Sequence, residues 1–333
     1  MWFEKLMGFK EISYEFVQQN IEIKENLLIS KVNGKSYQFG KLEIPTLKNL
    51  QNQINIKDFE GKIQVNEMVG NVREFHCLQG NSNALFQAAS QFNLLEMVSP
   101  EIIPEKGVGI YENDHTQGPS CAISCGAGTI FRNYFVTINE RIGQTRNNQV
   151  DCLNEIGKFL KNEELNLWKM RNGYAFPTEE GLNYINSKIS KMDFDERENL
   201  KSLLKVGIQW NTEVTISDNN QIVSQIYCSA LPIGYSYIPE NFWKNFAKLI
   251  LEATYEATFY AGLINYRKTG CNKIFLTLVG GGVFGNKMEW ILEAISKSIQ
   301  KFKNTPLDVK IVSYGQSNYM VRELIANFKN KSE

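Results

Sequence analysis

The alternation of apolar and polar residues is most regular in the second half of the chain. Residues 207–229 alternate around Asp218-Asn219-Asn220, a pattern typical of a β-hairpin. The elements predicted after this hairpin are a long amphipathic helix over 239–261, an apolar strand at 273–279, a helix near 287–302, a strand at 308–314 and a last helix from about 317. Because helices and strands alternate in this way, we expect an α/β sheet covered by helices.

The first half has a shorter and more mixed pattern. Alternating runs and the Asn33-Gly34 turn indicate hairpins, so residues 1–62 are predicted to form a β-rich N-terminal extension. Residues 63–78 are typical of strands, and residues 84–97 place their apolar side chains on one face of a helix. The main domain then covers residues 63–333, with a helical insert over about 151–206.

Composition excludes several classes of protein. The chain has 333 residues, of which 43% are hydrophobic, and its 36 basic and 36 acidic side chains give a formal net charge of zero. These values are typical of a globular protein and exclude a polycation that binds nucleic-acid backbones, so we expect no nucleic-acid partner. No apolar run is long enough to span a bilayer, so no membrane partner is expected and a cytoplasmic or nucleocytoplasmic location is predicted.

Two residue types that usually carry metal chemistry are scarce. The chain has only two histidines, His76 and His115, and its six cysteines are scattered without a CxxC pair. Multi-histidine and zinc-knuckle sites are therefore not expected, and neither a metal nor a cofactor is predicted. Any catalysis is predicted to depend on carboxylates, amides or backbone groups.

A glycine-rich segment at 280–286 follows the apolar strand and precedes a predicted helix. Glycine permits the dihedral angles that let successive backbone N–H groups converge on an anion, and the helix start adds positive partial charge. The segment is neither the dinucleotide fingerprint nor the Walker sequence, because Asn286 stands where the Walker lysine would be. It is either a phosphate-binding turn or a plain tight turn.

A second candidate is the end of the long, proline-containing loop 98–119. Its last part, YENDHTQGP, combines a carboxylate, a hydroxyl and an amide just before a predicted helix start. Long loops in compact domains are usually functional, although Asp114 or Thr116 could also serve only as a helix N-cap.

A third candidate is a set of side-chain amides around the predicted 84–97 helix: Asn81, Asn83, Gln87 and Asn93. Its members either face a ligand together or form an exposed polar surface. Glu96 lies near the end of this predicted helix, where its charge opposes the helix dipole, so it is either solvated or placed there for function.

Five segments resemble macrodomain-type ADP-ribose modules. They are GNSNALFQAASQFNLLEM, YENDHTQGP, TIFRNY, SALPIGY and LTLVGGGVFGN, and the resemblance spans roughly residues 63–329. It is closest to the MavL-like ubiquitin ADP-ribosyl hydrolases. The segment at 276–286 is similar to the macrodomain loop that wraps the diphosphate and distal ribose, whereas the usual glycine-rich first loop is not present in its common form.

The resemblance implies a fold, a ligand and a set of site residues. The fold is a three-layer α/β/α macrodomain-like mixed sheet, and the ligand or product is ADP-ribose. Because cleavage at the anomeric carbon passes through an oxocarbenium-like state, carboxylates suit the reaction: Asp114 is predicted as the principal catalytic acid, with Glu96 and Glu105 as helpers. The residues expected to bind ADP-ribose are Gly80, Asn81, Asn83, Gln87, Asn93, Thr116, Gln117, Gly118, Gly280, Gly281, Gly282, Val283, Phe284, Gly285 and Asn286.

Three functions fit these observations. The first is an ADP-ribosyl hydrolase that removes mono-ADP-ribose from a protein, with ubiquitin as the acceptor that the resemblance implies. The second is a non-catalytic ADP-ribose reader, because the same turn binds the ligand whether or not a water is positioned. The third is a protein-interaction scaffold in which 280–286 is only a turn.

Overall fold

The computed structural model describes residues 1–330, which form fourteen strands and thirteen α-helices. The strands are β1 (Ile21–Lys24), β2 (Leu27–Ser30), β3 (Ser36–Gln38), β4 (Lys41–Glu43), β5 (Gln64–Val69), β6 (Leu85–Ala89), β7 (Thr137–Ile138), β8 (Arg141–Ile142), β9 (Trp168–Arg171), β10 (Tyr174–Pro177), β11 (Gly207–Glu213), β12 (Ile222–Cys228), β13 (Lys273–Leu276) and β14 (Asp308–Ser313). The helices are α1 (Trp2–Met7), α2 (Tyr14–Asn20), α3 (Leu47–Gln53), α4 (Val72–Cys77), α5 (Gln117–Ser124), α6 (Gly126–Tyr134), α7 (Asn154–Leu160), α8 (Asn162–Leu165), α9 (Glu179–Lys191), α10 (Phe194–Ser202), α11 (Lys244–Thr269), α12 (Met288–Lys301) and α13 (Tyr319–Asn330).

Seven of the strands form one mixed sheet with the order β4-β11-β12-β6-β13-β14-β5. The five strands from β12 to β5 run parallel, and β11 and β4 add an antiparallel edge. The carboxyl ends of the five parallel strands therefore meet at one edge of the sheet, where open α/β sheets bind ligands.

Helices cover both faces of this sheet. On β6, the ring of Phe86 stacks on His76 of α4 with the centroids 3.8 Å apart, whereas the side chain of Gln87 donates to Thr258 Oγ1 of α11 at 2.7 Å. Since successive side chains of a strand point to opposite faces, α4 and α11 lie on opposite sides of the sheet. The predicted three-layer α/β/α mixed sheet is confirmed.

The central helix α11 is buried over most of its 26 residues. Two carboxylates, Glu252 and Glu256, interrupt its apolar sequence and are paired with cations of neighbouring helices. In the part of the chain that the structure describes, no helix is long and apolar enough to cross a membrane.

The predicted N-terminal extension contains β1 to β4 and, in addition, the helices α1 to α3, which the sequence did not indicate. Strands β1, β2 and β3 form a small antiparallel sheet, but β4 pairs with β11 in the central sheet. Apolar side chains such as Phe3 and Val17 share a second core with Leu95, Tyr111 and Ile130. The N-terminal residues therefore pack against the long loop that precedes α5.

The predicted helix over residues 84–97 is wrong. This stretch begins with β6, a central strand that pairs with β12 and β13, and continues as a loop. A strand buried on both faces shows a continuous apolar run that periodicity cannot separate from a buried helix. Over residues 63–78, the predicted strand is correct for β5, but α4 replaces it after Asn71, whose side chain caps the helix.

The predicted helical insert contains α7, α8, α9 and α10. Between them lies a hairpin, β9–β10, that the sequence analysis missed. Its turn is Asn172-Gly173, and both residues have positive φ, of 46° and 78°. This hairpin carries Tyr174 to the functional site.

Candidate functional site

A long cleft crosses the carboxyl ends of the five parallel strands. Each strand contributes the residues that follow it: Asn71 after β5, Ser90 after β6, Ala230 after β12, Thr277 after β13 and Tyr314 after β14. The start of α5 closes one side. The cleft therefore lies at the position that the sheet topology favours for a ligand.

The cleft consists of two adjoining cavities. The first has a volume of about 230 Å³ and the second about 870 Å³. Four residues line both cavities, Thr116, Gln117, Thr277 and Leu278, so the two lie side by side. An elongated ligand with two different ends fits this shape.

The glycine-rich segment forms a tight turn along the first cavity. Gly280 and Gly285 have φ values of 79° and 70°, which side chains with a Cβ rarely adopt. Within residues 1–330, the backbone N–H groups of Gly282, Val283 and Phe284 donate no hydrogen bond. Three adjacent free donors in a turn are suited to an anion. Helix α12 begins at Met288, two residues beyond the turn's last residue.

Two contacts fix the conformation of this turn. The carbonyl of Phe284 accepts a hydrogen bond from the backbone N–H of Gly234 at 2.9 Å. The side chain of Asn286 donates to the carbonyl of Leu231 at 2.9 Å. The SALPIGY segment therefore holds the turn in place, and the buried Asn286 acts through the turn because it does not line either cavity.

Glu96 is a buried carboxyl in the first cavity. Its side chain is 4% exposed, and Oε1 has no hydrogen-bond partner among the described residues. Burial raises the pKa of Glu96 well above its usual value; the guanidinium of Arg132 lowers this pKa, and the charge of Asp114 raises it further. These influences favour a carboxyl that keeps its proton, which suits a proton donor.

Asp114 is a second carboxylate in the same cavity, and it is only half-buried. Its Oδ1 accepts the backbone N–H of Thr116 at 2.8 Å, which stabilises the turn before α5. Thr116 is the N-cap residue of α5 but makes no side-chain capping bond. The N-cap alternative is therefore not met, because Thr116 caps no helix N–H and Asp114 bonds only the N–H of Thr116, while Asp114 also lines the cavity.

Gln117 joins α5 to the end of β6. Its Oε1 accepts the N–H of Ala89 at 3.1 Å, and its Nε2 donates to the carbonyl of Gln87 at 2.9 Å. Gln87 itself lies below the cleft, where its Oε1 accepts the N–H of Thr277 at 3.1 Å. These two glutamines position the strand ends and the helix start that form the site.

Three aromatic rings form one wall of the first cavity. Tyr174, Tyr235 and Phe284 contact one another with centroids 5.1 to 5.7 Å apart. The hydroxyl of Tyr174 donates to the carbonyl of Met97 at 2.8 Å. The hairpin of the insert therefore fixes the loop that carries Glu96.

The second cavity carries two exposed aromatic rings, Tyr314 and Tyr319, which are 74% and 66% exposed. The turn that bears them is fixed by Glu67, whose Oε1 accepts from Ser313 Oγ and from the N–H of Asn318, both at 2.6 Å. Exposed tyrosine rings in a cavity are suited to stacking with a planar base.

Several predicted site residues lie outside the cleft. Gly80, Asn81 and Asn83 precede β6 and are therefore at the opposite edge of the sheet. Asn93 is buried in the loop, where its side chain contacts Gln149 and the N–H of Leu95. The carboxylate of Glu105 accepts the backbone N–H of Arg146 and does not line either cavity.

The structure brings together the other predicted residues. Of these, Glu96, Asp114, Thr116, Gln117, Gly118, Gly280, Gly282, Val283 and Phe284 line the first cavity. Gly281, Gly285 and Asn286 belong to the same turn. Eight further lining residues carry no sequence signal, because their pattern is that of ordinary strand ends and loops: Ser90, Gln91, Tyr174, Tyr235, Thr277, Asn71, Tyr314 and Tyr319.

No group of three or more histidine, cysteine or acidic residues that could hold a metal ion is found in residues 1–330. All six cysteines lie in this range and are free. The first cavity offers two carboxyl groups, Glu96 and Asp114, and the backbone donors of the glycine-rich turn.

Comparisons with known proteins give matches among solved structures alone. No protein-family model and no curated protein matches the chain. The poly(ADP-ribose) glycohydrolase of Thermomonospora curvata bound to the inhibitor ADP-HPD is 12% identical, covers 95% of both chains and has a TM-score of 0.43. The poly(ADP-ribose) glycohydrolase of Deinococcus radiodurans in complex with ADP-ribose is 11% identical, covers 87% of this chain and 94% of its own, and has a TM-score of 0.44.

Proposed function

We propose that this protein is an ADP-ribosyl hydrolase that removes mono-ADP-ribose from a protein. The observation that carries the proposal is the pair of adjoining cavities, of which the second has exposed tyrosines and the first has free backbone donors along its wall and two carboxyl groups. ADP-ribose presents a base, a diphosphate and a ribose in this order, so each part meets a group of suitable chemistry.

The ligand fits the cleft in one direction. The adenine stacks on Tyr314 or Tyr319 in the second, larger cavity. The diphosphate accepts hydrogen bonds from the N–H groups of residues 282–284, which needs no cationic side chain. The distal ribose then lies in the first cavity with its anomeric carbon near Glu96 and Asp114. This arrangement explains how a chain of zero net charge binds an anionic ligand.

The two carboxyl groups divide the chemistry between them. Glu96 gives its proton to the leaving oxygen while the bond from that oxygen to the anomeric carbon breaks, and the bonding electron pair stays on the oxygen. A water molecule attacks the oxocarbenium-like carbon, and Asp114 accepts a proton from this water. We assign the acid role to Glu96 and not to Asp114, because Glu96 is the buried member of the pair.

Release of ADP-ribose from an ADP-ribosylated protein tests the proposal. We expect Glu96→Gln and Asp114→Asn each to lower the release rate by about 100-fold or more, while calorimetry with ADP-ribose shows unchanged binding. Glu180→Gln, an exposed carboxylate on α9, is the matched control and should retain full activity. Full release by both cleft variants would overturn the assignment.

The same two measurements separate the alternatives. Binding of ADP-ribose without release by the intact chain favours the non-catalytic reader. Absence of any binding favours the interaction scaffold.

The identity of the protein that carries the ADP-ribose is a separate part of the proposal. The resemblance of the five sequence motifs to MavL-like hydrolases supports ubiquitin as the acceptor. Release rates from ADP-ribosylated ubiquitin and from a second mono-ADP-ribosylated protein should be compared at equal concentration. Equal rates would contradict selectivity for ubiquitin without affecting the hydrolase proposal.

A further inference from the structure

A buried arginine lies behind the first cavity. Arg132 of α6 is 1% exposed. Its Nη2 donates to Thr129 Oγ1 at 3.0 Å, but its Nη1 has no hydrogen-bond partner within residues 1–330. An uncompensated charge is costly in a protein interior, so this cation requires an explanation.

The fold holds the guanidinium in one orientation. Its Cζ lies 3.5 Å from the centroid of the Tyr227 ring, so the two groups form a cation–π contact. The hydroxyl of Tyr227 donates to Gln225 Oε1 at 2.6 Å, and Gln225 Nε2 donates to the carbonyl of Cys121 at 2.8 Å. This network anchors the arginine to β12 and α5.

A hydrogen bond to the backbone connects Arg132 to the loop that carries Glu96. Arg132 Nε donates to the carbonyl of Leu94 at 3.3 Å. Leu94 has a φ of 66°, an unusual value for a residue with a branched side chain, and it lies two residues before Glu96. Arg132 therefore contacts the loop whose course determines where the Glu96 carboxyl lies.

The charge of Arg132 also acts on that carboxyl. It lowers the pKa of Glu96, against the larger effect of burial. The other titratable groups that interact with Glu96 are neutral or negative at neutral pH: Asp114 from the loop, Tyr111 from the segment before it, Cys121 from α5, Tyr174 from β10 and Tyr227 from β12. Arg132 is the cation that lowers the pKa of Glu96 itself, whereas Arg73 acts on the neighbouring Cys121.

We propose that Arg132 is a positioning residue for Glu96 and the buried countercharge of its carboxylate. The proposal rests on the proposed function in that Glu96 is the group that gives up a proton. When that proton moves to the leaving oxygen, the carboxylate that remains is stabilised by the guanidinium, whose Nη1 is free to donate. Without Arg132, the same carboxylate would form without the cation that acts on it directly.

Titration of the Glu96 carboxyl tests the coupling directly. In protein labelled with ¹³C at glutamate carboxyl carbons, Glu96→Gln identifies the Glu96 signal. We expect Arg132→Met to raise the midpoint of this signal by about 1 pH unit or more, and Arg132→Lys, which keeps the charge, to leave it within about half a unit. An unchanged midpoint in Arg132→Met would overturn the proposal. If Arg132→Met does not fold, Arg132→Gln gives the same comparison.

The pH dependence of ADP-ribose release supplies a second readout. In Arg132→Met, the alkaline limb of kcat/KM should move to higher pH by the same amount and kcat near pH 7 should fall about tenfold, with ADP-ribose affinity unchanged. If Arg132 had a purely structural role, Arg132→Met would lower Tm and leave the alkaline limb of kcat/KM at the same pH. That result would contradict the proposal. A shifted titration in a protein that releases no ADP-ribose would refute the proposed function but not the coupling.

Discussion

The carboxyl of Glu96 lies against the first turn of α5 at a point where the helix has a glycine, Gly118. A Cβ atom at Gly118 would lie 2.3 Å from Glu96 Oε2 and 2.2 Å from the carbonyl oxygen of Ala89. Both distances are too short for real contacts. The φ of Gly118 is that of ordinary helix, so the glycine is required for space and not for its backbone angles.

We therefore expect Gly118→Ala to displace the Glu96 carboxyl. The added methyl group should cost about 1–3 kcal/mol of stability and lower ADP-ribose release by about tenfold or more. Steady-state kinetics and thermal unfolding measure the two effects. Gly80→Ala is the control, because only Lys273 Nζ at 4.0 Å approaches its added Cβ and it lies at the opposite edge of the sheet. Equal activity of the two variants would contradict the steric argument.

Asn286→Ala should weaken ligand binding through the glycine-rich turn. The variant loses the 2.9 Å bond to the carbonyl of Leu231, which keeps only the N–H of Ile233 at 3.0 Å as a donor, and this loss costs about 0.5–1.5 kcal/mol. Because the turn and not the carboxyl pair is affected, KM and the ADP-ribose dissociation constant should rise about five- to fifty-fold with little change in kcat. Calorimetry and kinetics give both values. A fall in kcat alone would assign Asn286 a different role.

Tyr174→Phe tests the contribution of the hairpin in the insert. The variant removes the hydroxyl that donates to the carbonyl of Met97 at 2.8 Å but keeps the ring against Tyr235 and Phe284. We expect a loss of about 1 kcal/mol of stability and a several-fold lower kcat, because the loop bearing Glu96 is less restrained. Phe176→Leu, on the same strand, should leave kcat unchanged. Equal kcat for Tyr174→Phe and wild type would show that the ring, without its hydroxyl, is enough to restrain the loop that bears Glu96.

The pH dependence of stability should report the ion pairs of α11. Burial raises the pKa of Glu256, but the charges of Lys201 and Lys301 outweigh it, and the pKa lies below the usual value of 4.5. A carboxylate with a lowered pKa in the folded state stabilises the protein above the unfolded-state pKa, and this stabilisation is lost as the pH falls through the folded-state value. The free energy of unfolding should therefore decrease as the pH is lowered below about 4.5.

Glu256→Gln should remove part of this dependence. At pH 7 we expect a loss of about 1–3 kcal/mol, because Lys201 loses its 2.8 Å partner in a buried site but keeps Glu198 at 2.6 Å, and a smaller loss at low pH. Urea unfolding at several pH values measures both. Glu164→Gln is the control, since its 3.9 Å pair with Lys161 is exposed and is worth about 0–1 kcal/mol. The same loss at pH 4 and pH 7 would be inconsistent with the linkage argument.

Local sequence patterns were enough to predict the second half of the fold. Over residues 207–330, β11 and β12 alternate, and α11, β13, α12 and β14 follow in the predicted order. Local rules suffice there because each element shows one apolar pattern and ends at a turn residue. The glycine turn at 280–286 was found for the same reason, since glycine reports a local backbone requirement.

Which polar residues meet in the cleft was decided by packing between distant segments. The sequence grouped Asn81, Asn83 and Asn93 with the site because a helix was expected there, and β6 instead separates the first two from the cleft by the length of a strand. It could not show that Tyr174 reaches the first cavity from the insert, or that Arg132 lies behind Glu96. These relations depend on which strands become neighbours in the sheet, and strand order is set by long-range contacts that no local pattern contains.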